Sequence, residues 1–426
     1  MNIDQYSNQQ LQSWEQELAA RYRQIQGAGL KLDLTRGKPS AAQLSLADSL
    51  DGIIGGDYLL PDGTDVRNYG GLEGILPARE LGGEMLGVPA GQLLAGDNSS
   101  LTLMYHYMLH AYLYGVRGPD SAWRHHQPPR FIALVPGYDR HFGICEDLGI
   151  EMVNVGFTEA GPDMDRIEAL VAADPSIKGI WCVPKHSNPT GHTYSEAVVE
   201  RFARLGKLAD PHFRIFWDNA YTVHDLDDSV PPVTNLMDLA RQHGTEDTVV
   251  MFASTSKITF AGAGIAFLAS SADNLKAFKQ HLGVFSIGPN KVNQLRHVRF
   301  LKNLDGLRAH MRRHAELVRP KFELLDKHLE EALGGAGMGT WTRPQGGYFV
   351  SFDAHPGLAR EIIRLAGEAG VKLTPAGATY PYGKDPEDRN IRLAPTFPSL
   401  EELDQAMGVF TLCVQLATAR QKLAQG

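Results

Sequence analysis

The chain has 426 residues, 43% hydrophobic and 21% charged, the composition of a folded protein with ample material for a core. Its 41 Lys and Arg against 49 Asp and Glu leave a net charge of −8. With no basic run, nucleic acid and anionic membrane are excluded as main partners, while a small anionic ligand stays open. Cys145, Cys182 and Cys413 are odd in number and form no CxxC pair. That pattern argues against a disulfide framework or a metal site and for a reducing, cytoplasmic setting. The first ten residues are polar, with no signal-peptide core. No apolar run approaches the roughly 18–20 residues that cross a bilayer.

Leu11, Trp14, Leu18, Tyr22 and Ile25 recur three or four apart, which predicts an amphipathic helix over 8–27. From about 130 to 270, short apolar runs alternate with helix-length polar stretches. The runs are 130–135, 152–157, 177–183, 214–217, 248–253 and 264–269. Strands so spaced imply a mainly parallel sheet sandwiched by helices, an α/β fold whose ligands bind beyond the strands' carboxyl ends. Residues 290–333 read as one long helix or a broken pair. Gly334 to Gly339 interrupts the pattern and reads as a connector, since no strand and helix flank it as a phosphate loop requires. A smaller α+β segment follows to the end.

Lys257 lies in Ser254-Thr-Ser-Lys257, after the apolar run 248–253 and before Ala261-Gly-Ala-Gly264. A lysine at a buried strand's end can be desolvated, its pKa lowered, and so act as a nucleophile toward a carbonyl. Asp218 closes the run 214–217 and opens Asp218-Asn-Ala-Tyr221; an acid there faces the ligand crevice, or it caps a helix. Asn188-Pro-Thr-Gly191 also follows a run, and by itself is a turn. Ser99 and Ser100 precede a helical pattern, where hydroxyls and free amides hold an anion or cap the helix. Asn188, Asp218 and Lys257 each end a predicted strand, so all three can face one crevice. Arg392 lies in the strand-like run Asn390-Ile-Arg-Leu393.

In this order, from Asp33-Leu-Thr-Arg-Gly-Lys-Pro39 to Arg392, the chain resembles the class I aminotransferases, pyridoxal-phosphate enzymes of fold type I. The wording of 254–264 and 287–297 is similar to an aspartate aminotransferase-like, MocR-family subgroup. The resemblance implies a large domain over 50–310 and a small domain formed from 1–49 and 311–426. It makes Lys257 the Schiff-base lysine and proton carrier, and Asp218 the partner of the pyridine nitrogen. Tyr221 and Asn188 would hydrogen-bond the ring's phenolic oxygen, and Tyr138 would stack on the ring. Ser99, Ser100 and Ser254 would bind the phosphate, with Asn98 a further candidate. Tyr69 would reach the phosphate of a second subunit, so a homodimer with shared active sites is implied. Arg392 would pair with the substrate α-carboxylate, with Asn188 a further substrate contact, and the Gly37 backbone would close over it.

Two positions depart from the family pattern. Ile265 stands where an arginine, eight residues after the lysine, contacts the phosphate. No arginine aligns for a distal substrate carboxylate; Lys38, Lys291 and Arg296 are the candidates, and Arg296 also reads as a helix-surface charge. The implied activity moves an amino group from an L-amino acid, best matched by L-aspartate, to a 2-oxo acid such as 2-oxoglutarate. The alternatives are a β-lyase on the same fold and a ligand-sensing regulator domain. The latter sits badly with some 30 residues before Gly37 and no basic recognition helix.

Overall fold

The computed structural model describes residues 2–125 and 128–425. In chain order its strands are β1 (Leu32–Asp33), β2 (Leu93–Ala95), β3 (Arg130–Leu134), β4 (Glu151–Val155), β5 (Phe157–Thr158), β6 (Gly161–Pro162) and β7 (Ile177–Cys182). These are followed by β8 (Arg214–Asp218), β9 (Val249–Ser254), β10 (Ala266–Ser270), β11 (Gly339–Trp341), β12 (Val350–Ala354), β13 (Val371–Lys372) and β14 (Asn390–Leu393). Seven of them form one sheet in the order β2-β10-β9-β8-β7-β3-β4. The neighbours from β9 to β4 run parallel, and β10 alone runs against both β9 and β2. The mainly parallel α/β sheet expected from the alternating runs is present.

Alternation along the strands decides what each face of this sheet buries. Ile215, Trp217, Met251 and Ala253 join one apolar cluster with helices on their side. Phe216, Val250, Phe252 and Trp181 join another on the opposite face. Both faces are covered, so β7 and β8 are buried at every position. A third cluster gathers Ile3, Leu11, Leu18, Tyr22 and Leu34 with Val318, Phe352, Leu393 and Phe410, joining the two ends of the chain. It packs around the antiparallel sheet β11-β12-β14.

The helix expected over 8–27 spans Asn8–Gln26, with Ser7 and Gln10 forming a reciprocal cap. The stretch 290–333 is the broken pair, Lys291–Leu301 and Leu304–Leu333. Lys302, at φ 66°, turns the chain between them, and the Asn303 side chain accepts from the Gly306 N–H to start the second helix. That 30-residue helix, about 45 Å long, buries Leu307 and Met311 in the sheet's core and Val318 to Leu333 in the third cluster. One rigid element therefore joins the two cores. Among the described residues, no helix is long and apolar enough to cross a membrane.

Candidate active site

Four adjacent parallel strands, β9, β8, β7 and β3, point their carboxyl ends the same way. Lys257 follows β9, Asp218 ends β8, Asn188 follows β7 and Tyr138 follows β3. The residues read from sequence as strand-end groups are therefore neighbours along one edge. Ser99 and Ser100 follow β2 on the far side of β10, at the same edge.

Asp218 is 3% exposed. Its Oδ2 accepts from His141 Nε2 at 3.1 Å, while Oδ1 is buried and has no partner among the described residues. His141 stacks flat on Trp181, with centroids 4.4 Å apart, and meets the Tyr138 ring edge-on at 4.9 Å. Packing thus fixes the imidazole that orients the carboxylate. Sequence reading missed His141; its one signal was a position one helical turn beyond Tyr138, on the helix Asp139–Asp147.

The Lys257 ammonium lies 5.1 Å from the Tyr221 ring centroid. Burial lowers its pKa below the ordinary lysine value, and the Asp218 charge partly opposes that shift. Tyr221 is pushed well above the ordinary phenol range by burial, then by Tyr138 and Asp218, so its hydroxyl stays a donor. The Lys257 backbone is held from below: Gln43 Nε2 donates to the Tyr348 hydroxyl at 2.9 Å, and that hydroxyl donates to the Lys257 carbonyl at 3.5 Å.

Arg392 stands on β14, in the sheet packed against the third cluster. Its Nη1 donates to Asn188 Oδ1 at 3.3 Å and to Asp139 Oδ1 at 3.1 Å. Its guanidinium carbon lies 4.9 Å from the Phe349 ring centroid, and its Nε is buried without a partner among the described residues. Gly37 backs the same ring. A Cβ there would sit 2.3 Å from Phe349 Cζ, so only glycine admits this approach. The structure thus joins residues far apart in sequence: Arg392 and Gly37 meet at Phe349, and Arg392 also holds Asn188.

The segment 254–265 is drawn tight. Ile265 is fully buried, donates its N–H to Thr255 Oγ1 and accepts from the Thr255 N–H, each at 2.8 Å. Gly264 lies so close to Thr255 that a Cβ would meet Oγ1 at 2.8 Å. Ile265 therefore leads into the core, in a place where a cation would be stranded. Ser256 Oγ donates to the Asn98 carbonyl at 3.1 Å, and Asn98 Nδ2 donates to the Gly262 carbonyl at 3.0 Å. Ser99 caps the helix Ser100–Leu113, accepting from the Thr102 N–H at 3.2 Å. Ser254 is the half-buried last residue of β9.

Tyr69 stands out from the chain surface, 85% exposed, with Lys291 Nζ donating to its carbonyl and to that of Gly70. Arg296 donates to Asn293 Oδ1 at 2.7 Å, and the Lys38 ammonium lies 3.8 Å over the Phe397 ring. Each of these three cations is thus engaged at another group, and among the described residues none gains an ion pair shorter than 4.0 Å.

Known proteins are similar to this chain in sequence and fold. The aspartate amino-transferase family model matches residues 6–426. A protein of Mycolicibacterium smegmatis is 48% identical over 413 residues, 96% of each chain. An aspartate aminotransferase of Corynebacterium glutamicum is 45% identical over 98% of this chain and 97% of its own. The crystal structure of an aspartate transaminase from that organism superimposes with a TM-score of 0.95, at 44% identity over 99% of both chains. At 20% identity the fold alone is shared with an α-aminoadipate aminotransferase of Thermus thermophilus, TM-score 0.74, whose structure holds a phosphopyridoxyl-leucine.

The fold and site define a pyridoxal-phosphate-dependent aminotransferase. More narrowly, the chain belongs to the aspartate amino-transferase family.

Proposed function

We propose that the chain moves an amino group from L-aspartate to 2-oxoglutarate by a ping-pong route, with pyridoxal phosphate bound through Lys257. Within the family we read it as a member of the aspartate aminotransferase-like, MocR-family subgroup, on the wording of 254–264 and 287–297. The aspartate specificity is carried from the Corynebacterium glutamicum relatives. The observation that carries the cofactor reading is Asp218: a buried carboxylate oxygen without a donor, at the strand edge beside Lys257 and Asn188. A protonated pyridine nitrogen is the donor that such an atom fits.

When bound, the cofactor supplies an electron sink for the charge left on the substrate Cα. Lys257 Nζ, neutral more readily than a solvated lysine, carries the proton from that carbon. Asp218, oriented by His141, holds the ring-nitrogen proton. Tyr221 and Asn188 donate to the phenolic oxygen, and Tyr138 covers the ring. Ser99, Ser100 and Ser254 bind the phosphate through hydroxyls and the amides of a helix start, with Asn98 beside them. Arg392 offers its unpartnered Nε edge to the α-carboxylate, closed by the Gly37 backbone.

We read two domains, 50–310, and 1–49 with 311–426, a division supported by the core built from both chain ends. The exposed Tyr69 supports a homodimer in which it reaches the other subunit's phosphate. The three cysteines are buried and unpaired, in keeping with a cytoplasmic protein.

The purified protein is expected to absorb in the visible and to bleach with borohydride, leaving pyridoxyl on the Lys257 peptide by mass spectrometry. With aspartate and 2-oxoglutarate it is expected to yield glutamate. Pyruvate and ammonia from cysteine conjugates instead would make it a β-lyase. Full-rate transamination by Lys257→Ala would end the assignment.

A further inference from the structure

Arg392 is a buried cation whose side chain is 8% exposed. Among the described residues, the one carboxylate within 4.0 Å of it is Asp139, at 3.1 Å and 38% exposed. Asp139 is the first residue of the helix that follows Tyr138, where the helix dipole favours a carboxylate even when it faces water. The two partners are held unequally. The guanidinium is fixed by Asn188 on Nη1 and by the Phe349 ring beneath it. Among the described residues, the Asp139 side chain makes no hydrogen bond beyond the one it accepts from Arg392, so it is the member free to turn outward.

We propose that Asp139 is an internal counter-ion for Arg392 that opposes the arriving α-carboxylate and so sets how tightly the site binds it. A buried guanidinium without an anion is costly, and Asp139 removes that cost before substrate arrives. The same charge then repels the substrate carboxylate across the guanidinium. At about 6 Å and an effective dielectric constant of about 40, this repulsion is worth roughly tenfold in affinity. Asp139 thus keeps carboxylates from binding so tightly that product leaves slowly. It is an affinity-setting residue for the α-carboxylate, and it acts alike on every amino and 2-oxo acid because all carry that group. This inference rests on the reading of Arg392 as the α-carboxylate ligand.

Binding of succinate and of propionate to the cofactor-loaded protein, by titration calorimetry, tests it. Asp139→Asn is expected to lower Kd for both anions by roughly tenfold, and KM for amino and oxo acids with it. The gain is expected to shrink as salt rises, since Asp139 is partly in water. Weaker or unchanged binding would overturn the proposal and make Asp139 an orienting or merely structural group. Asp139→Ser serves as a second neutral variant if the first folds poorly, with unfolding midpoint and visible absorbance as the checks. Arg392→Ala separates the two readings. If it leaves succinate binding intact, the assignment of Arg392 itself fails; if it abolishes binding while Asp139→Asn does not tighten it, only this proposal falls.

Discussion

Burial at the strand edge sets the protonation state in which each side chain works. The Tyr138 hydroxyl is pushed up to about 12 by burial and then by the Asp218 charge, so it stays neutral. Lys257 is driven the other way, toward the neutral amine, with Asp218 restraining the shift. Asp218 is therefore the group on which its neighbours depend. Asp218→Asn keeps the shape and the contact with His141 but removes the charge that would hold a pyridinium proton. Its kcat is expected to fall by roughly 10²–10³-fold, the scale of losing one preorganised electrostatic group. A single-turnover assay with aspartate measures this, and a fall of only a few-fold would remove Asp218 from the chemistry. In the sequence Asp218 reads as a strand-end acid facing the crevice or as a helix cap, and only the family resemblance chooses between them. His141 was not legible there: its role comes from stacking on Trp181, 40 positions away, and nothing local in the sequence signals that contact.

The segment before Ser99 and the loop after Lys257 are joined by the helix Lys291–Leu301. Gln294, 1% exposed, accepts from the Ile75 N–H at 2.9 Å and donates to the Ala95 and Gly96 carbonyls at 2.9 and 3.0 Å. Asn293 donates to the Ala263 and Gly264 carbonyls at 3.0 and 2.9 Å. Two adjacent amides thus tie the segment before Ser99 to the loop after Lys257. Replacing Gln294 with Leu keeps the volume but leaves one N–H and two carbonyls buried unpaired. A loss of about 2–4 kcal/mol in unfolding free energy is expected from urea titration. A loss under about 0.5 kcal/mol would mean that the amide holds nothing in place. Sequence reading saw the strand ends and the small residues after Lys257. It could not see these long-range amide contacts, because a Gln on a helix carries no sign of which backbone it satisfies. Ile265 is the converse case. Its departure from the family arginine was plain in the sequence, and the reason, a fully buried entry into β10, is a matter of packing.

Across the whole molecule, the sheet and its two faces were legible because parallel strands announce themselves as apolar runs at helix-length spacing. The joining of both chain ends into one core was legible only through the family resemblance, since no local period links Leu18 with Phe410. Burial of histidines elsewhere in the molecule has a consequence for acid stability. His110, His297 and His314 are each lowered to about 4, chiefly by burial. Unfolded, each returns to about 6.5. Between those values the unfolded chain binds more protons than the folded one, so stability is full above about pH 6.5 and is lost as pH falls toward 4. At pH 5 each such histidine costs about 2 kcal/mol relative to neutral pH. His297 gives a clean probe: its Nδ1–H donates to the Asn293 carbonyl at 2.8 Å, which leaves Nε2 to accept from the Thr259 hydroxyl at 2.8 Å. His297→Asn loses these bonds and is expected to be less stable than the parent at pH 7.5. It no longer titrates, so its deficit is expected to shrink by about 2 kcal/mol at pH 5.0, read from urea midpoints at the two pH values. A deficit that stays constant would mean that His297 is protonated in the folded chain as readily as in water, and that burial does not hold it neutral.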